Sequence, residues 1–157
     1  MAKGFIKVEE LIRSEQDFDM LRLAREFTAD VELNEHVDED VLLMTCIKIR
    51  NDVERKYVNC FIAYSDDKPI GFLVGVTSPA FHRLGIVAEQ KLWYVTPNAR
   101  GTLAFKLLIK AFEHWARTNG ATQLFTGTAN VKLSERTSKL LQHLGYARVG
   151  TSHVKEI

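Results

Sequence analysis

The segment with the clearest chemical potential is the junction at 93–105, where a strand pattern changes to a helix pattern across Arg100-Gly101-Thr102. A helix start exposes about four backbone N–H groups without a partner in the helix, and the helix dipole adds partial positive charge there. Arg100 adds a fixed positive charge, Gly101 allows close approach to the backbone, and Thr102 offers a hydroxyl. The segment predicts an anion site, and an ordinary turn before a helix is the alternative.

A carboxylate lies upstream of that junction, in a strand pattern that mixes apolar and polar residues. Glu89 stands in the strand pattern 86–96, six residues before Val95. A charged residue in such a strand indicates a cleft or a strand edge, where a carboxylate can accept a proton from a reacting group. A solvent-facing residue that alternates with buried neighbours would give the same pattern. The residues alone leave both interpretations open.

The elements that must position these residues follow from hydrophobic periodicity and turn residues. Their order is β-α-α-β-β-β-α-β-α-β-β, which predicts an α/β fold with a mixed sheet in a single domain over residues 1–157. Helical faces are predicted within 14–27, 42–53, 102–119 and 134–144, and strands at 5–8, 57–64, 70–76, 86–96, 122–128, 146–149 and 153–157.

The composition is that of an ordinary globular chain. With 157 residues, 46% of them hydrophobic and 26% charged, the chain is long enough for a real core and is not disordered. No run approaches the ~20 apolar residues of a membrane span, and we expect no secretory signal. Cys46 and Cys60 stand in apolar segments, which indicates buried thiols in a reducing compartment and predicts a cytoplasmic location.

Two classes of site are not expected. The five histidines show no metal-ligand spacing and the two cysteines are far apart in the sequence, so we expect no metal. The basic residues Arg50, Arg55 and Lys56 form no stripe interleaved with aromatic residues, and we therefore do not expect direct nucleic-acid binding.

Charge is distributed unevenly along the chain. Residues 1–90 carry 11 Lys and Arg against 17 Asp and Glu, a net charge of −6, whereas residues 91–157 carry 10 against 3, a net charge of +7. The stretch 30–40 holds six acidic residues and no Lys or Arg. Such a dipolar chain can attract an anion on one half and a cation on the other, although solvated surface charge is the alternative.

Three motifs carry a resemblance to a known family. They are VTPNARG at 95–101, FEHWA at 112–116 and LLQHLGY at 140–146. Together with the element order they resemble the GNAT superfamily of acyl-CoA-dependent N-acetyltransferases over nearly the whole chain, and in detail its small bacteriophage-encoded members. The resemblance implies a mostly antiparallel central sheet flanked by helices and splayed between strands 4 and 5. It also implies acetyl-CoA as co-substrate.

The resemblance assigns two groups of residues to acetyl-CoA. The family pattern R-x-x-G-x-G/A, which holds the pyrophosphate on backbone N–H groups, starts at Arg100; Leu103 and Phe105 replace its two glycines, so the Phe105 ring must point away. The backbone of the fourth strand is implied to bind the pantetheine arm and the thioester carbonyl. The implied set is Trp93, Val95, Arg100, Gly101, Thr102, Leu103, Ala104, Phe105 and Asn130.

The resemblance also implies two proton transfers. Glu89 stands where the histone-acetylating branch places its catalytic glutamate, and we assign it as the base. Many members protonate the CoA thiolate with a tyrosine at the position that Leu141 occupies here, and leucine cannot donate a proton. Water, Tyr94 or Ser134 could substitute, or the enzyme is weak; we assign Tyr94 as the second catalytic residue.

The acidic stretch suggests an acceptor. It lies between the first two helices, which in GNAT folds wall the acceptor cleft, so the resemblance implies a cationic primary amine bound by Asp38 and Glu39. A lysine side chain, a polyamine-like compound and an amine on a modified nucleobase all fit. The expected activity is acetyl transfer by direct attack in a ternary complex.

Two alternatives to the enzyme stay open. A weak or inactive GNAT fold could bind acyl-CoA without transferring it, or could bind a host protein. A homodimer is also left open, as is a host-cytoplasm location if the protein is phage-encoded.

Overall fold

The computed structural model describes residues 4–31, 37–127, 133–150 and 155. The chain divides into two compact units, residues 1–126 and 127–157, and each is described by itself. The first unit contains β1 (Ile6–Glu10), α1 (Glu15–Asp30), α2 (Glu39–Asn51), β2 (Val58–Ser65), β3 (Lys68–Pro79), β4 (Ile86–Val95), a 3-10 turn (Pro97–Ala99), α3 (Ala104–Thr118) and β5 (Ala121–Phe125). In the second unit, α4 spans Ser134–His143.

The sheet has the order β1-β2-β3-β4-β5. The first four strands pair with antiparallel neighbours, and β5 pairs with β4 in parallel. The predicted α/β class with a mixed, mostly antiparallel sheet is thereby confirmed. Because side chains alternate across a strand, each of the central strands presents apolar residues to helices on both faces.

The two faces of the sheet are covered by different helices. On one face, Phe72 and Tyr94 join the buried cluster that α1 and α2 supply with residues such as Phe27 and Ile49. On the other face α3 packs through Trp115, whose ring lies edge-on to that of Phe61 on β2.

Helix α3 is held mainly by its apolar stripe. Leu108, Ile109 and Phe112 are fully buried and Trp115 is almost so, and each such side chain contributes roughly 1.5–3 kcal/mol of burial free energy. The Trp115 Nε1 also donates to the backbone oxygen of Arg55 at 2.6 Å. The start of α3, next to the end of β4, is therefore positioned by a rigid element.

The strand prediction fails in two places. The strand predicted to end at residue 76 runs on as β3 to Pro79 and pairs there with Ile86, so the connection between β3 and β4 spans only residues 80–85. Residues 146–149 form no strand: Gly145 adopts φ +93 and the N–H of Tyr146 donates to Leu141 O at 3.0 Å, which ends α4 and leaves that N–H unavailable for a strand ladder. The last predicted strand, 153–157, lies outside the described residues except for residue 155.

Candidate active site

A β-bulge interrupts β4 near its middle. Leu92 pairs with Val74 and Gln90 pairs with Gly75 of β3, so Lys91 is an extra residue without an opposite partner. Gly75 is required there because a Cβ atom would come within 2.6 Å of the Phe112 ring on α3. Bulges of this kind bend a strand and re-aim its side chains, and they are frequent next to active sites.

Beyond the bulge, β4 separates from β5. Their pairing ends at Glu89 with Phe125, while β4 continues for six residues to Val95. Within the described part of the chain, no strand pairs with this continuation on the β5 side. The two strands therefore part after Glu89, which agrees with the splay expected between strands 4 and 5.

Glu89 pairs with Val76, which lies on the same face of β3 as Val74. Val74 packs against the buried cluster that contains residues of α1 and α2, so Glu89 faces that side of the sheet. Its carboxylate is partly open: the side chain is 40% exposed, and Oε2 lies 2.5 Å from the Nζ of Lys91, itself 56% exposed. The proposed base therefore stands at the bulge and already holds one ammonium group.

Tyr94 occupies a closed position on the same face. Its ring contacts Phe27 at 5.7 Å between centroids and is only 4% exposed. The hydroxyl has no hydrogen-bond partner in the described residues. Burial, with a further contribution from the Asp30 carboxylate, raises the pKa of Tyr94 to about 12. The phenol therefore stays protonated near neutral pH and is a weak acid.

Trp93 points to the opposite face and contacts the start of α3. Its ring centroid lies 4.5 Å from that of Phe105, which is 8% exposed. The Phe105 ring is thus packed against the sheet. Phe105 stands where the family pattern has a glycine, and its ring forms an aromatic contact between β4 and α3.

The side chain of Arg100 is engaged toward α1. Its Nε donates to Val95 O at 3.1 Å and a terminal nitrogen bonds Asp30 at the end of α1. The guanidinium also lies over the Tyr94 ring, 5.8 Å from its centroid. Arg100 therefore ties the turn before α3 to α1, and its predicted contact with a phosphate stays a prediction.

The turn before α3 leaves backbone donors available. Gly101 adopts φ +83, a conformation that glycine tolerates without strain. Thr102 Oγ1 donates to Ala99 O at 2.6 Å and accepts from the N–H of Ala104 at 3.2 Å. The next N–H groups, of Phe105 and Lys106, precede the first bonds within the helix, and neither donates to an acceptor among the described residues.

The two acidic residues assigned to the acceptor have partners within the protein. Asp38 caps α2 by accepting from the N–H groups of Asp40 and Val41 at 3.0 and 3.1 Å. Glu39 forms a two-point ion pair with Arg25 on α1, which lowers its pKa. Both side chains are exposed and stay predicted acceptor residues.

Two other predicted positions belong to the second unit. Asn130 lies outside the described residues. Leu141, at the position where many family members have a tyrosine, is 8% exposed within α4. A buried position of this kind suits an apolar leucine side chain. Among the residues that the structure describes, no group of three metal-ligating side chains is found, and no helix is long and apolar enough to cross a membrane.

The comparison with protein families decides the classification. The sequence profile of the acetyltransferase (GNAT) family matches residues 19–146, which is most of the chain. This chain belongs to the GNAT family. The expected enzyme class, an acyltransferase, is thereby confirmed, whereas a search of curated proteins finds no match.

Solved structures share the GNAT fold with this chain. Aminoglycoside N-acetyltransferase AAC(6')-Iy in complex with CoA is similar with a TM-score of 0.78 and 16% identity, over 98% of this chain and 95% of that chain. The aminoglycoside acetyltransferase meta-AAC0020 from an uncultured soil metagenomic sample, in complex with sisomicin, has a TM-score of 0.73 and 19% identity over 98% and 96%. A ribosomal-protein-alanine N-acetyltransferase from Brucella melitensis biovar Abortus 2308 has values of 0.70 and 16% over 97% and 99%. At these identities the likeness shows the fold alone.

Sequence reasoning missed two features of this GNAT site. It did not identify Lys91 as the bulge residue that holds Glu89, and it did not pair Arg100 with Asp30. The sequence contains two signals for the bulge: a glycine within β3, Gly75, and two charged residues, Glu89 and Lys91, at alternate positions of β4. No local signal marks the second contact, since its partners are 70 residues apart.

Proposed function

We propose that this GNAT protein transfers an acetyl group from acetyl-CoA to a primary amine by direct attack in a ternary complex. The observation that carries the proposal is the separation of β4 from β5 after Glu89, on the strand that leads to the start of α3 and its open backbone donors. An extended arm that contains amide groups can bind along a strand edge as an additional strand. The start of a helix can bind phosphate through its backbone N–H groups.

The backbone supplies the proposed binding groups for acetyl-CoA. The edge of Trp93–Val95 would bind the pantetheine arm and polarise the thioester carbonyl. The N–H groups of Phe105 and Lys106 would bind the pyrophosphate, and helical residues need no glycine to donate them. The cofactor residues predicted from the sequence therefore act here chiefly through their main chain.

Glu89 is proposed to take the proton from the incoming ammonium. Because its carboxylate holds Lys91 at 2.5 Å, a cationic acceptor must displace that ammonium. Tyr94 is disfavoured as the acid for the thiolate because it is only 4% exposed, so its hydroxyl is closed to a leaving sulfur. Solvent is the proposed proton source, since the reacting ammonium releases protons and a thiol of pKa about 8.5 is mostly protonated near neutral pH.

Glu89→Gln tests the base. We expect kcat with an amine acceptor to fall by about 10² to 10⁴ fold, with little change in the affinity for CoA. Glu54→Gln is the matched control, since Glu54 is exposed on the turn after α2, and it should keep wild-type turnover. Equal turnover by the Glu89 variant and the wild type would remove the base assignment.

Binding itself is tested by calorimetry with acetyl-CoA and with S-acetylpantetheine, which lacks the pyrophosphate. We expect acetyl-CoA to bind more tightly, and the difference to shrink as salt screens the phosphate charge. A ligand present at about 100 times its Kd stabilises a protein by about 2.7 kcal/mol, which raises Tm by roughly 5–11 °C in a chain of this length. Failure of both CoA and acetyl-CoA to bind would refute the proposal.

We propose a cationic acceptor, supported by the acidic stretch between α1 and α2 and by the similar fold of aminoglycoside acetyltransferases. Asp38→Asn tests it without loss of the helix cap, because asparagine also caps helices. Combined with Glu39→Gln, it should raise KM severalfold for a dicationic amine and leave KM for a monoamine nearly unchanged. Equal KM values in variant and wild type would remove both residues from the acceptor site.

The second candidate is a GNAT fold that binds acyl-CoA, or a host protein, without turnover. The buried leucine at position 141, where many members have a tyrosine, favours it. Binding of acetyl-CoA without CoA release across a panel of amines would establish an acyl-CoA module. A fold without affinity for CoA would leave only the interaction role.

Subtype, location, domain count and assembly remain predictions. The motifs at 95–101 and 140–146 support a phage-type member, and the two buried free thiols support the cytoplasm, that of the host for a phage protein. A single domain is supported by a family match that spans both compact units. Sedimentation equilibrium would decide whether the protein is a homodimer.

A further inference from the structure

Arg100 stands between the end of one helix and the start of another. One of its terminal nitrogens bonds the carboxylate of Asp30, the last residue of α1, and its Nε donates to Val95 O at 3.1 Å. Helix α3 begins shortly after Arg100, at Ala104. The end of a helix carries partial negative charge and the start of a helix carries partial positive charge. In this structure the guanidinium is therefore held at the negative end of α1.

The position of Asp30 is unfavourable for α1 taken alone. A carboxylate at the end of a helix opposes the helix dipole, and the last turn of α1, residues 27–30, contains no basic residue that would offset it. The offsetting cation is Arg100, which is 70 residues away in the sequence. Both side chains are 26% exposed, so the ion pair borders on solvent and is open to a competing anion.

We propose that Asp30 sets the affinity of this protein for the phosphates of CoA, because it competes with them for Arg100. This inference rests on the proposed function, since it concerns the same pyrophosphate site at the start of α3. While Asp30 holds Arg100, the carboxylate neutralises the guanidinium charge, which then adds little to the positive potential at that site. A bound pyrophosphate attracts Arg100 toward α3, and its binding energy must offset the loss of the ion pair.

Two roles of Asp30 predict opposite effects on CoA binding when its charge is removed. If Asp30 only fixes the turn before α3, its loss releases that turn and weakens CoA binding. If Asp30 competes with phosphate, its loss frees Arg100 and strengthens CoA binding, although the protein becomes less stable. The sign of the change in affinity therefore separates a positioning residue that opposes the ligand from a merely structural one.

The test measures CoA binding to Asp30→Asn by calorimetry at low salt. We expect the variant to bind CoA about threefold to tenfold more tightly than the wild type, because one more uncompensated positive charge acts on the pyrophosphate. The gain should shrink as salt screens this attraction. S-acetylpantetheine, which lacks the pyrophosphate, should bind both proteins equally.

Glu26→Gln is the matched control. Glu26 lies one helical turn before Asp30 on α1 and pairs with Arg22 at 3.3 Å, so its substitution removes the same charge from the same helix without releasing Arg100. We expect it to change CoA affinity by less than about twofold, because surface charges of this kind contribute little. In an Arg100→Gln background, Asp30→Asn should give no gain in affinity, since the charge that it would release is absent.

Equal or weaker CoA binding by Asp30→Asn would overturn the inference and, if the wild type binds CoA, would keep the proposed function. A gain that persists in the Arg100→Gln background, or that appears equally with S-acetylpantetheine, would also overturn it. Absence of CoA binding by every one of these proteins would remove both the inference and the proposed function.

A measurement on the wild type tests the same competition if Asp30→Asn does not fold. The Nε–H resonance of Arg100, assigned by its loss in Arg100→Gln, reports the surroundings of the guanidinium. We expect it to shift when CoA is added and to stay in place with S-acetylpantetheine. An unchanged resonance in protein saturated with CoA would mean that Arg100 stays with Asp30, and the competition would be refuted.

Discussion

Helix α3 packs closely over Gly75, which lies opposite the β4 bulge, and Gly75→Ala tests that packing. A Cβ atom at position 75 would stand 2.6 Å from two atoms of the Phe112 ring and 3.1 Å from Trp115 Cζ3. Neither ring can move freely: Phe112 is fully buried, and Trp115 is held by its hydrogen bond to Arg55 O at 2.6 Å.

The magnitude follows from those contacts. Overpacking of a core by a methyl group costs typically 1–3 kcal/mol, and the lower chain entropy of alanine in the unfolded state returns about 0.4–1 kcal/mol. We expect a net loss of about 1–2 kcal/mol in the free energy of unfolding, which lowers Tm by roughly 2–8 °C for a chain of this length. Urea denaturation followed by circular dichroism measures it directly.

The control is the same substitution where space is free. At Gly150 an added Cβ meets nothing within 4 Å, so Gly150→Ala should change stability by less than about 0.5 kcal/mol. Phe112→Leu should cost less in the Gly75→Ala background than alone, with a coupling of about 1 kcal/mol in a double-mutant cycle. If Gly75→Ala is as stable as Gly150→Ala, or if the cycle shows no coupling, the packing of α3 against the bulge is wrong.

Three further predictions concern the surroundings of the site. Tyr94→Phe removes a buried hydroxyl without a partner in the described residues, so we expect stability to rise by about 1 kcal/mol in urea denaturation and kcat to stay within about threefold; a tenfold fall in kcat would make Tyr94 the acid. Asp30→Asn breaks the partly buried ion pair with Arg100 and should cost about 1–2 kcal/mol by the same measurement, whereas unchanged stability would mean that the pair does not hold the turn. Burial raises the pKa of both thiols, that of Cys46 to about 11, so neither Cys46 nor Cys60 should react with iodoacetamide near neutral pH until the protein is unfolded; rapid labelling of the native protein would contradict their burial.

Features that depend on neighbours along the chain could be predicted from the sequence. The stripe of α3 repeats at helical spacing, and Gly120 ends the helix with φ +81. The order of helices and strands along the chain and the position of Glu89 before the helix start follow from the same local periodicities. The strand predicted at 146–149 was wrong because the prediction used only local composition. A strand also needs a hydrogen-bonded neighbouring strand, which composition cannot reveal.

What the amino-acid sequence determined by itself is the fold class and the family motifs, because these rest on spacings within single elements. Only the tertiary structure decided what each side chain at the site touches. The Arg100 contact with Asp30 joins residues 70 positions apart, and the Trp93 contact with Phe105 joins a strand to a helix. The bulge at Lys91 is defined by pairing with β3, and α3 packs against Gly75 opposite it. Such contacts depend on distances through space between distant segments, and these distances exist only once the sheet and its helices have assembled.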